Sequence, residues 1–436
     1  MKKLATLLLA AGMVVASTAP ANAVDVKVDA RFRTSFAVGS SSFDGTNYEN
    51  IQHRLRLGLT MAASENLSAY AQFQFGGYNW GTADKHGRLA HSAEGFDQDI
   101  STRMLYLDWT VPGTPVKVRM GRHQLGLPAE AFGSNSILGA GYGNRDGVVV
   151  TAPVADWLGL SAIWTRIGCD GGKDADNNLN DDMFALVANL KFEGVSGAVY
   201  AAYASIDDAK AGTSTKVTKG WNGGFAADAE GDAYWLGFTS TFSFFDPFTL
   251  KVSAAYGEFN AADKNKKNEN GWNVQVKGAY ALPFGTATLG GWYFSGADED
   301  GKGNMPNAGY FAGTNYFYDG FAALNSNNGN TNISGQWAVQ AGLEDVSFLE
   351  GLTHAFQVTY MEGTNDIDSK KCTTTNLSED DSLVELSMVN TYKIYKNLAA
   401  HLELGYIISD FNADAKKSEG VTEDDWYAGL TFDFKF

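Results

Sequence analysis

The chain ends in residues 426–436 with the stretch WYAGLTFDFKF. Every second residue from Trp426 to Phe436 is apolar, and polar or small residues lie between them. This period of two is typical of a β-strand with one apolar face and one polar face. Such a strand needs hydrogen-bond partners along both edges. The rest of the chain can supply them, because it repeats the same pattern.

The alternation recurs along the whole chain. The stretch VKVDARFRTSFAV (26–38) places valine and phenylalanine on one face and mostly charged residues on the other. We count about 18 such stretches, or 16 if GVVVTAP (147–153) and ATLGGWYF (287–294) are not strands. A tilted strand of about ten residues can cross a bilayer. The pattern therefore predicts an all-β protein that folds as a closed transmembrane antiparallel β-barrel.

The connections between these stretches alternate between short and long. AASEN (62–66) and YKN (395–397) are short, whereas 206–231 and 296–333 are long. Short turns at one end and long loops at the other are typical of outer-membrane barrels. An even number of strands puts both termini at the end with the short turns, which predicts periplasmic termini.

The N-terminal residues 1–23 read MKKLATLLLAAGMVVASTAPANA. A basic start, a short apolar run and a small-residue cleavage site predict a secretory signal peptide. Residues 24–436 are then a single barrel domain. No later stretch approaches the ~20 apolar residues of a membrane-spanning helix, so we expect any crossing of a membrane to use a closed barrel.

Composition agrees with this interpretation. The chain has 49 glycines, 13% aromatic residues and 8 prolines, and its mean hydropathy is slightly polar at -0.21. A barrel produces such an average because apolar residues occupy one position in two. The formal net charge of -17 argues against nucleic acid as a partner, since binding phosphates requires a basic surface.

Motifs for catalysis or metal binding are missing from the sequence. The six histidines show no His-Glu-x-x-His spacing, and no Gly-x-Ser-x-Gly motif occurs. DADNNLNDD (174–182) has acidic residues at alternate positions but lacks the glycine and glutamate of a calcium loop. We predict no enzyme, cofactor or metal site, and calcium binding by this acidic stretch stays an open alternative. Cys169 and Cys372 lie in predicted loops and form one candidate disulfide.

The signal peptide, the alternating strands, the short and long connections and the terminal Phe436 together resemble a Gram-negative outer-membrane porin. The resemblance implies a water-filled channel for passive diffusion of small hydrophilic solutes and ions, usually as a homotrimer in outer-membrane lipid. It also implies that Phe436 is a signal to the outer-membrane assembly machinery. The third external loop, RHQLGLPAEAFGSNSILGAGYGNRDG (122–147), should fold inward, although PAEAFG only loosely matches the Pro-Glu-Phe-Gly-Gly run of enterobacterial general porins.

Basic residues are the candidates for ion selectivity. All ten arginines lie between Arg31 and Arg166. Charged patches in a narrow lumen select ions, and arginine stays charged beside other cations. We predict that Glu130 and Asp146 on the inward loop, with Asp108 at a strand end, face a basic wall. An alternative is that the wall only pairs with loop acids and stiffens the barrel. The wall comprises Arg31, Arg33, Arg54, Arg56, Arg103, Lys117 and Arg119.

Two other groups of residues suggest different functions. Aromatic residues in GYFAGTNYFYDGF (309–321) could stack on sugars, which would make the chain a sugar-selective channel, although such loops more often pack on themselves. A barrel enzyme or adhesin is a more remote alternative. His53 and His123 are expected inside the lumen as pore-lining or hydrogen-bonded side chains. The aromatic residues of the loop are Tyr310, Phe311, Tyr316, Phe317 and Tyr318.

Overall fold

The structure is a computed structural model of the chain. It describes residues 24–40, 47–80, 100–138, 144–169, 180–206, 230–262, 268–300, 302–306, 311, 313–315, 335–368, 377–411 and 424–436. Several sequence predictions lie outside these residues. They concern the signal peptide (1–23), Cys372, most of the candidate calcium loop, and Tyr310 and 316–318 of the aromatic loop.

The described residues form one antiparallel sheet of 18 strands that closes on itself. Each strand pairs with its neighbours in sequence, and β1 also pairs with β18. The prediction of an 18-strand barrel is confirmed, including the two least regular strands, β6 and β13. The strands are β1 (Asp25–Ser40), β2 (Asn47–Ser64), β3 (Leu67–Asn79), β4 (Ile100–Thr110), β5 (Lys117–Gln124), β6 (Asn144–Ala155), β7 (Leu158–Cys169), β8 (Asn180–Phe192), β9 (Val195–Ile206), β10 (Gly231–Phe245), β11 (Phe248–Ala261), β12 (Glu269–Leu282), β13 (Gly285–Phe294), β14 (Gln336–Leu349), β15 (Leu352–Gly363), β16 (Ser382–Tyr395), β17 (Leu398–Asp410) and β18 (Asp425–Lys435).

Apolar and polar side chains are distributed over the two faces of the wall in the reverse of the way they are in a soluble protein: apolar residues are exposed outside and polar residues are buried inside. Outward-facing leucines are largely exposed, for example Leu186 at 67% and Leu289 at 64%, whereas inward-facing Ser253 and Gln275 are fully buried. An exposed apolar face that surrounds a polar interior is stable in lipid rather than in water. No helix in the described part of the chain is long and apolar enough to cross a membrane.

Aromatic side chains pair on the outer face near both ends of the barrel. Trp157 stacks on Phe192 beside the short turns, with ring centroids 5.8 Å apart. Trp272 stacks on Tyr293 near the long loops at 4.8 Å. Such pairs occupy the positions at which aromatic residues meet lipid headgroups.

Parts of two long connections fold into the barrel. Residues 125–138, between β5 and β6, form the inward segment, which lies against the inner face of the wall. The Ala131 N–H of this segment donates to Ser253 Oγ of β11 at 3.0 Å. Part of the connection between β13 and β14 follows the same wall, and Trp235 Nε1 donates to Pro306 O at 2.7 Å. The inward fold of the third external loop, between β5 and β6, matches the expectation from the resemblance. The sequence did not indicate the inward fold of the connection between β13 and β14.

The seam between β1 and β18 closes the barrel. Phe36 lies opposite Leu430, and Arg31 lies opposite Lys435. Beyond the last ladder pair, Ala30 and Phe436 exchange two backbone hydrogen bonds of 2.9 and 3.0 Å. The Phe436 ring lies on the outer face, 60% exposed and 5.7 Å from the Phe434 ring. The terminal residue therefore belongs to the seam.

Deletion of Phe436 should lower the amount of assembled barrel several-fold and leave the conductance of each assembled channel unchanged. The deletion removes two seam hydrogen bonds and an exposed ring, but it changes nothing in the lumen. Heat-modifiable mobility of membrane fractions measures assembly, and single-channel recording measures conductance. Phe284→Ala, which removes another exposed ring, is the matched control. Normal membrane levels in the deletion would contradict the role of Phe436.

Candidate functional site

The register of the first strands aligns basic side chains in two rows on the inner face. In one row Arg31 lies opposite both Lys435 of β18 and Arg56 of β2. In the next row Arg33 lies opposite both Asp433 and Arg54. Directly opposite residues share a face and are neighbours in space. Five of these six side chains are cationic.

Asp433 holds this group together. Its carboxylate accepts hydrogen bonds from Arg31 Nε at 2.8 Å and from Arg31 Nη2 at 2.5 Å. Arg33 Nε lies 3.6 Å and Lys435 Nζ 3.4 Å from the same carboxylate. Asp433 is 3% exposed and Arg33 is 7% exposed. One buried carboxylate therefore contacts three cations, which leaves the group with excess positive charge.

Arg103 joins the same wall because of a β-bulge. The register between β3 and β4 shifts between Gln72 and Phe73, so Gln72 lies opposite Met104 and Phe73 lies opposite Thr102. The extra residue, Arg103, turns inward and donates from Nη1 to Gln72 Oε1 at 2.7 Å. A bulge reverses the alternation locally. Counting in twos from Leu105 would place Arg103 on the outer face.

In the structure the basic wall consists of six residues and differs from the predicted set, because it gains Lys435 and loses Lys117 and Arg119. It comprises Arg31, Arg33, Arg54, Arg56, Arg103 and Lys435. Lys435 was missed by the sequence analysis, although it lies on the polar face of the closing stretch. Glutamine amides support two of the arginines, and Arg56 Nε donates to Gln74 Oε1 at 2.9 Å. These amides hold the guanidinium groups in place without neutralising them.

Lys117 and Arg119 lie nearer the short turns and do not belong to the basic wall. Arg119 forms a bidentate ion pair with Asp108, in which both hydrogen bonds measure 2.7 Å. Its guanidinium lies 4.3 Å from the centre of the Tyr106 ring. Both cations border a cavity of about 700 Å³ next to residues 125–128. Because its charge is paired with Asp108, Arg119 adds little net charge there.

The prediction that Glu130 faces the basic wall is wrong. Glu130 lies on the inward segment but is 3% exposed. Its carboxylate accepts hydrogen bonds from Ser136 Oγ at 2.7 Å, from the Ser136 N–H at 3.1 Å and from Gln275 Nε2 at 2.5 Å. Burial raises the pKa of Glu130 to about 7, although these hydrogen bonds act in the opposite direction. Glu130 fastens the segment to the wall.

The prediction for Asp146 is also wrong. Asp146 lies in β6, where it faces outward and pairs with Arg122 at 2.8 Å. β6 starts at Asn144, two residues before Asp146, so Asp146 belongs to the strand. Alternation then assigns Asp146 to the same face as Val150, which is 37% exposed. His53 likewise lies on the outer face, and its Nδ1 is 2.7 Å from Trp80 Nε1. His123 is inside but only 1% exposed.

The surface that the inward segment presents to the lumen is uncharged. Its exposed residues are Ala129 and Gly133. The segment is bonded to β11, nine positions from β2 in the closed order of 18 strands. The basic wall and this uncharged surface therefore lie on opposite sides of the barrel. Among the described residues, the basic wall therefore has no facing carboxylate on residues 125–138.

Phe311 is the one residue of the aromatic sugar-stacking group that the structure describes. It is 1% exposed, and its ring meets those of Trp292 and Phe294 edge to face at 5.0 and 5.1 Å. Phe132 of the inward segment contacts the same ring at 6.1 Å. Phe311 packs the two inward segments together and is too buried to stack on a solute.

Packing of the inward segment should weaken as pH rises from 4.5 to about 7. The fold raises the pKa of Glu130 above its ordinary value, so the folded state binds the proton more tightly than an undocked segment does. The stabilisation is complete below pH 4.5 and is lost through about pH 7. The free energy of packing the inward segment against the wall should fall by roughly 3 kcal/mol over this pH range. Hydrogen exchange of the amides of 131–136, corrected for intrinsic rates, measures it.

Glu130→Gln should abolish this pH dependence because the amide does not ionise and nearly keeps the shape of the carboxylate. Glu65→Gln, in an exposed short turn, is the control and should retain the dependence. Equal protection of residues 131–136 at pH 5 and pH 8 in the unmodified protein would contradict the role of Glu130.

Comparison with solved structures identifies similar barrels. Pseudomonas aeruginosa OccK8 (OprE) matches with a TM-score of 0.56 at 12% identity, over 94% of this chain and 98% of that chain. Pseudomonas aeruginosa OpdK, in a structure with vanillate, matches with a TM-score of 0.57 at 13% identity over the same shares. Pseudomonas aeruginosa OprD matches with a TM-score of 0.56 at 14% identity, over 94% and 95%. Identities this low establish the barrel fold alone.

No family model matches the sequence, and comparison with curated protein sequences finds no match.

Proposed function

We propose that this chain is a porin of the Gram-negative outer membrane, through which small hydrophilic solutes and ions diffuse passively, with a preference for anions. The observation that carries the proposal is the basic wall, where Asp433 contacts three of the cations and the facing segment is uncharged. The apolar outer face and polar interior of a closed barrel support the membrane location. No catalytic role is proposed.

The substrate class that fits this wall is small carboxylates. Guanidinium groups bind carboxylates with two parallel hydrogen bonds, and rows of them provide successive weak sites along a path. The structure of OpdK with vanillate, an aromatic carboxylate, is of a protein with the same fold. Phe311, the one described member of the aromatic group, is buried and adds no support to the sugar-selective alternative.

Orientation and assembly complete the proposal. The short turns and both termini would face the periplasm, and the long loops would face outward, as is usual for such barrels. A homotrimer follows from the resemblance, and Phe436 would be read by the assembly machinery. Three equal closure steps in a bilayer recording would support a trimer of open channels.

Purified protein in a planar bilayer provides the test. Under a tenfold gradient of KCl, the reversal potential should have the sign of a channel that prefers chloride. Added benzoate should lower the chloride current by competing for the basic wall, and added glucose should not. Absence of conductance would overturn the porin proposal, and a preference for potassium would overturn the proposed selectivity.

A further inference from the structure

A cavity of about 700 Å³ lies inside the barrel, between the inward segment and the inner face of β3 to β8. It is separate from the basic wall, whose residues lie on β1, β2, β4 and β18. Leu125, Leu127 and Pro128 of the inward segment line one end of the cavity, and the exposed residues Glu65 and Asn66 of the β2–β3 turn line the other. The cavity therefore reaches from the inward segment to the short turns, and its volume is within the usual range of small-molecule sites.

The wall of the cavity is built from two rows of inward-facing side chains. In the row nearer the short turns, Lys117 of β5 lies opposite Thr151 of β6, and Thr151 lies opposite Ser161 of β7. The Thr151 and Ser161 hydroxyl oxygens are 3.2 Å apart. In the next row, Arg119 lies opposite Val149. Directly opposite residues are neighbours in space, so this part of the wall carries an ammonium group beside two hydroxyls.

Aliphatic side chains cover the end of the cavity next to the inward segment. Leu125 packs where Gly147 has no side chain, since a Cβ on Gly147 would lie 2.8 Å from Leu125 Cδ1. These side chains belong to one hydrophobic cluster that joins the inward segment to β6, β7 and β8. An apolar ligand gains free energy by filling such a space, because it leaves water. The aliphatic residues that line the cavity include Leu125, Leu127, Val149, Ile163 and Val187.

Lys117 supplies the cavity with an unpaired positive charge. Asp108 and Arg119 also line the cavity, but they neutralise each other through two hydrogen bonds of 2.7 Å. The exposed Lys117 ammonium group makes no ion pair with any residue that the structure describes. Glu65 carries a negative charge in the exposed turn at the far end, where it disfavours a ligand with a second anionic group. The cavity therefore suits a single negative charge.

We propose that this cavity binds an amphipathic monoanion, with its anionic group at Lys117 and its aliphatic body against the inward segment. A lysine ammonium group is a point charge, so it binds a sulfonate as well as a carboxylate, unlike the paired donors of an arginine. The Thr151 and Ser161 hydroxyls can donate to the same anionic group. The ligand contacts the strands and the inward segment together, so its binding holds the segment in place. This role goes beyond the passage of solutes along the basic wall.

Two other strands carry a matched pair of residues outside the cavity. Lys251 of β11 is exposed, alternates with the inward-facing Ser253 and lies opposite Thr241 of β10. Lys117 lies opposite Thr151 in the same way. Neither Lys251 nor Thr241 lines the cavity. The same pair of residue types is thus available inside the proposed site and outside it, which provides controls for both substitutions.

Binding of 1-hexanesulfonate and methanesulfonate to the purified protein in lipid nanodiscs, measured by ligand-observed NMR titration, tests the site. The two sulfonates carry the same anionic group, so the ratio of their affinities reports the aliphatic body alone. Hexanesulfonate should bind roughly tenfold more tightly. Lys117→Gln removes the cation and Thr151→Phe fills the cavity, so each should lower the affinity for hexanesulfonate roughly five- to tenfold. Lys251→Gln and Thr241→Phe should bind it as the unmodified protein does.

Three results would overturn the proposal: equal affinity for the two sulfonates, the same affinity in the cavity variants as in their controls, or unchanged hydrogen exchange of the amides of 125–127. Hexanesulfonate should slow that exchange several-fold, because it holds the inward segment in place. If Thr151→Phe fails to fold, the comparison of Lys117→Gln with Lys251→Gln decides. Channel recordings on the same preparations separate this proposal from the porin proposal. Normal conductance without hexanesulfonate binding would remove only the cavity site, whereas absence of conductance would count against the porin.

Discussion

Replacing Arg54 and Arg56 together by glutamine should lower the ratio of chloride to potassium permeability roughly three- to tenfold. Each side chain contributes one positive charge to the basic wall, and neither is among the three cations that contact Asp433. A unit charge about 6 Å from a passing ion is worth about 0.7 kcal/mol in water, and salt reduces this by about half. Two such charges account for the expected range.

The reversal potential under a KCl gradient measures this change. Arg122→Gln is the matched control, since it removes an arginine from the outer face without altering the lumen. The control should keep the permeability ratio of the unmodified protein. If the double variant kept that ratio as well, the basic wall would have no part in selecting ions, and the selectivity proposal would fail.

Asp433→Ala should destabilise the folded barrel by about 3–5 kcal/mol, the usual cost of leaving a buried charge without its partner. Asp433 is almost fully buried and contacts Arg31 and Lys435 as well as Arg33, which is itself 7% exposed. All four residues lie on the two strands of the seam. The loss should therefore lower the urea concentration at which the barrel unfolds in detergent.

Thr431→Ala is the control, because Thr431 lies two residues away on the same face of β18 and makes one hydrogen bond of 3.3 Å to Ser35. Its unfolding midpoint should change little. The double variant Asp433→Ala/Arg33→Gln should recover part of the stability, because it removes the stranded cation as well. An unchanged midpoint in Asp433→Ala would mean that water reaches the carboxylate and that the seam does not depend on it.

The barrel was predictable because its governing rule is local. Alternation with a period of two assigns each residue to a face, and the same rule placed Arg31, Arg33, Arg54 and Arg56 on the polar side. The closing pair of strands followed from the need to cover two edges, and the structure confirms it. Even a weakly patterned strand such as β6 forms because its neighbours on both sides supply hydrogen-bond partners.

Other parts of the candidate site depend on information that alternation does not contain. Arg103 was predicted on the basic wall and lies there, but alternation alone would place it outward, because a single extra residue in β4 turns it inward. The environment of Glu130 depends on Gln275, which is 145 residues away. Asp146 faces outward because β6 extends further than its apolar run. These outcomes are set by register and tertiary packing, which act over long separations in sequence.

The ion pair between Arg31 and Asp433 joins residues 402 positions apart, and this separation has a kinetic consequence. Loop-closure entropy must be overcome before such a contact contributes any stability, so the seam is the slowest pairing for a free chain to find. Until β18 arrives, β1 presents an unpaired edge that other chains can join. Hairpins between sequential neighbours can form early, but the barrel closes only when β1 pairs with β18, a final step that joins the two ends of the chain. Factors that hold β1 and β18 near each other would therefore accelerate folding more than factors that stabilise any hairpin.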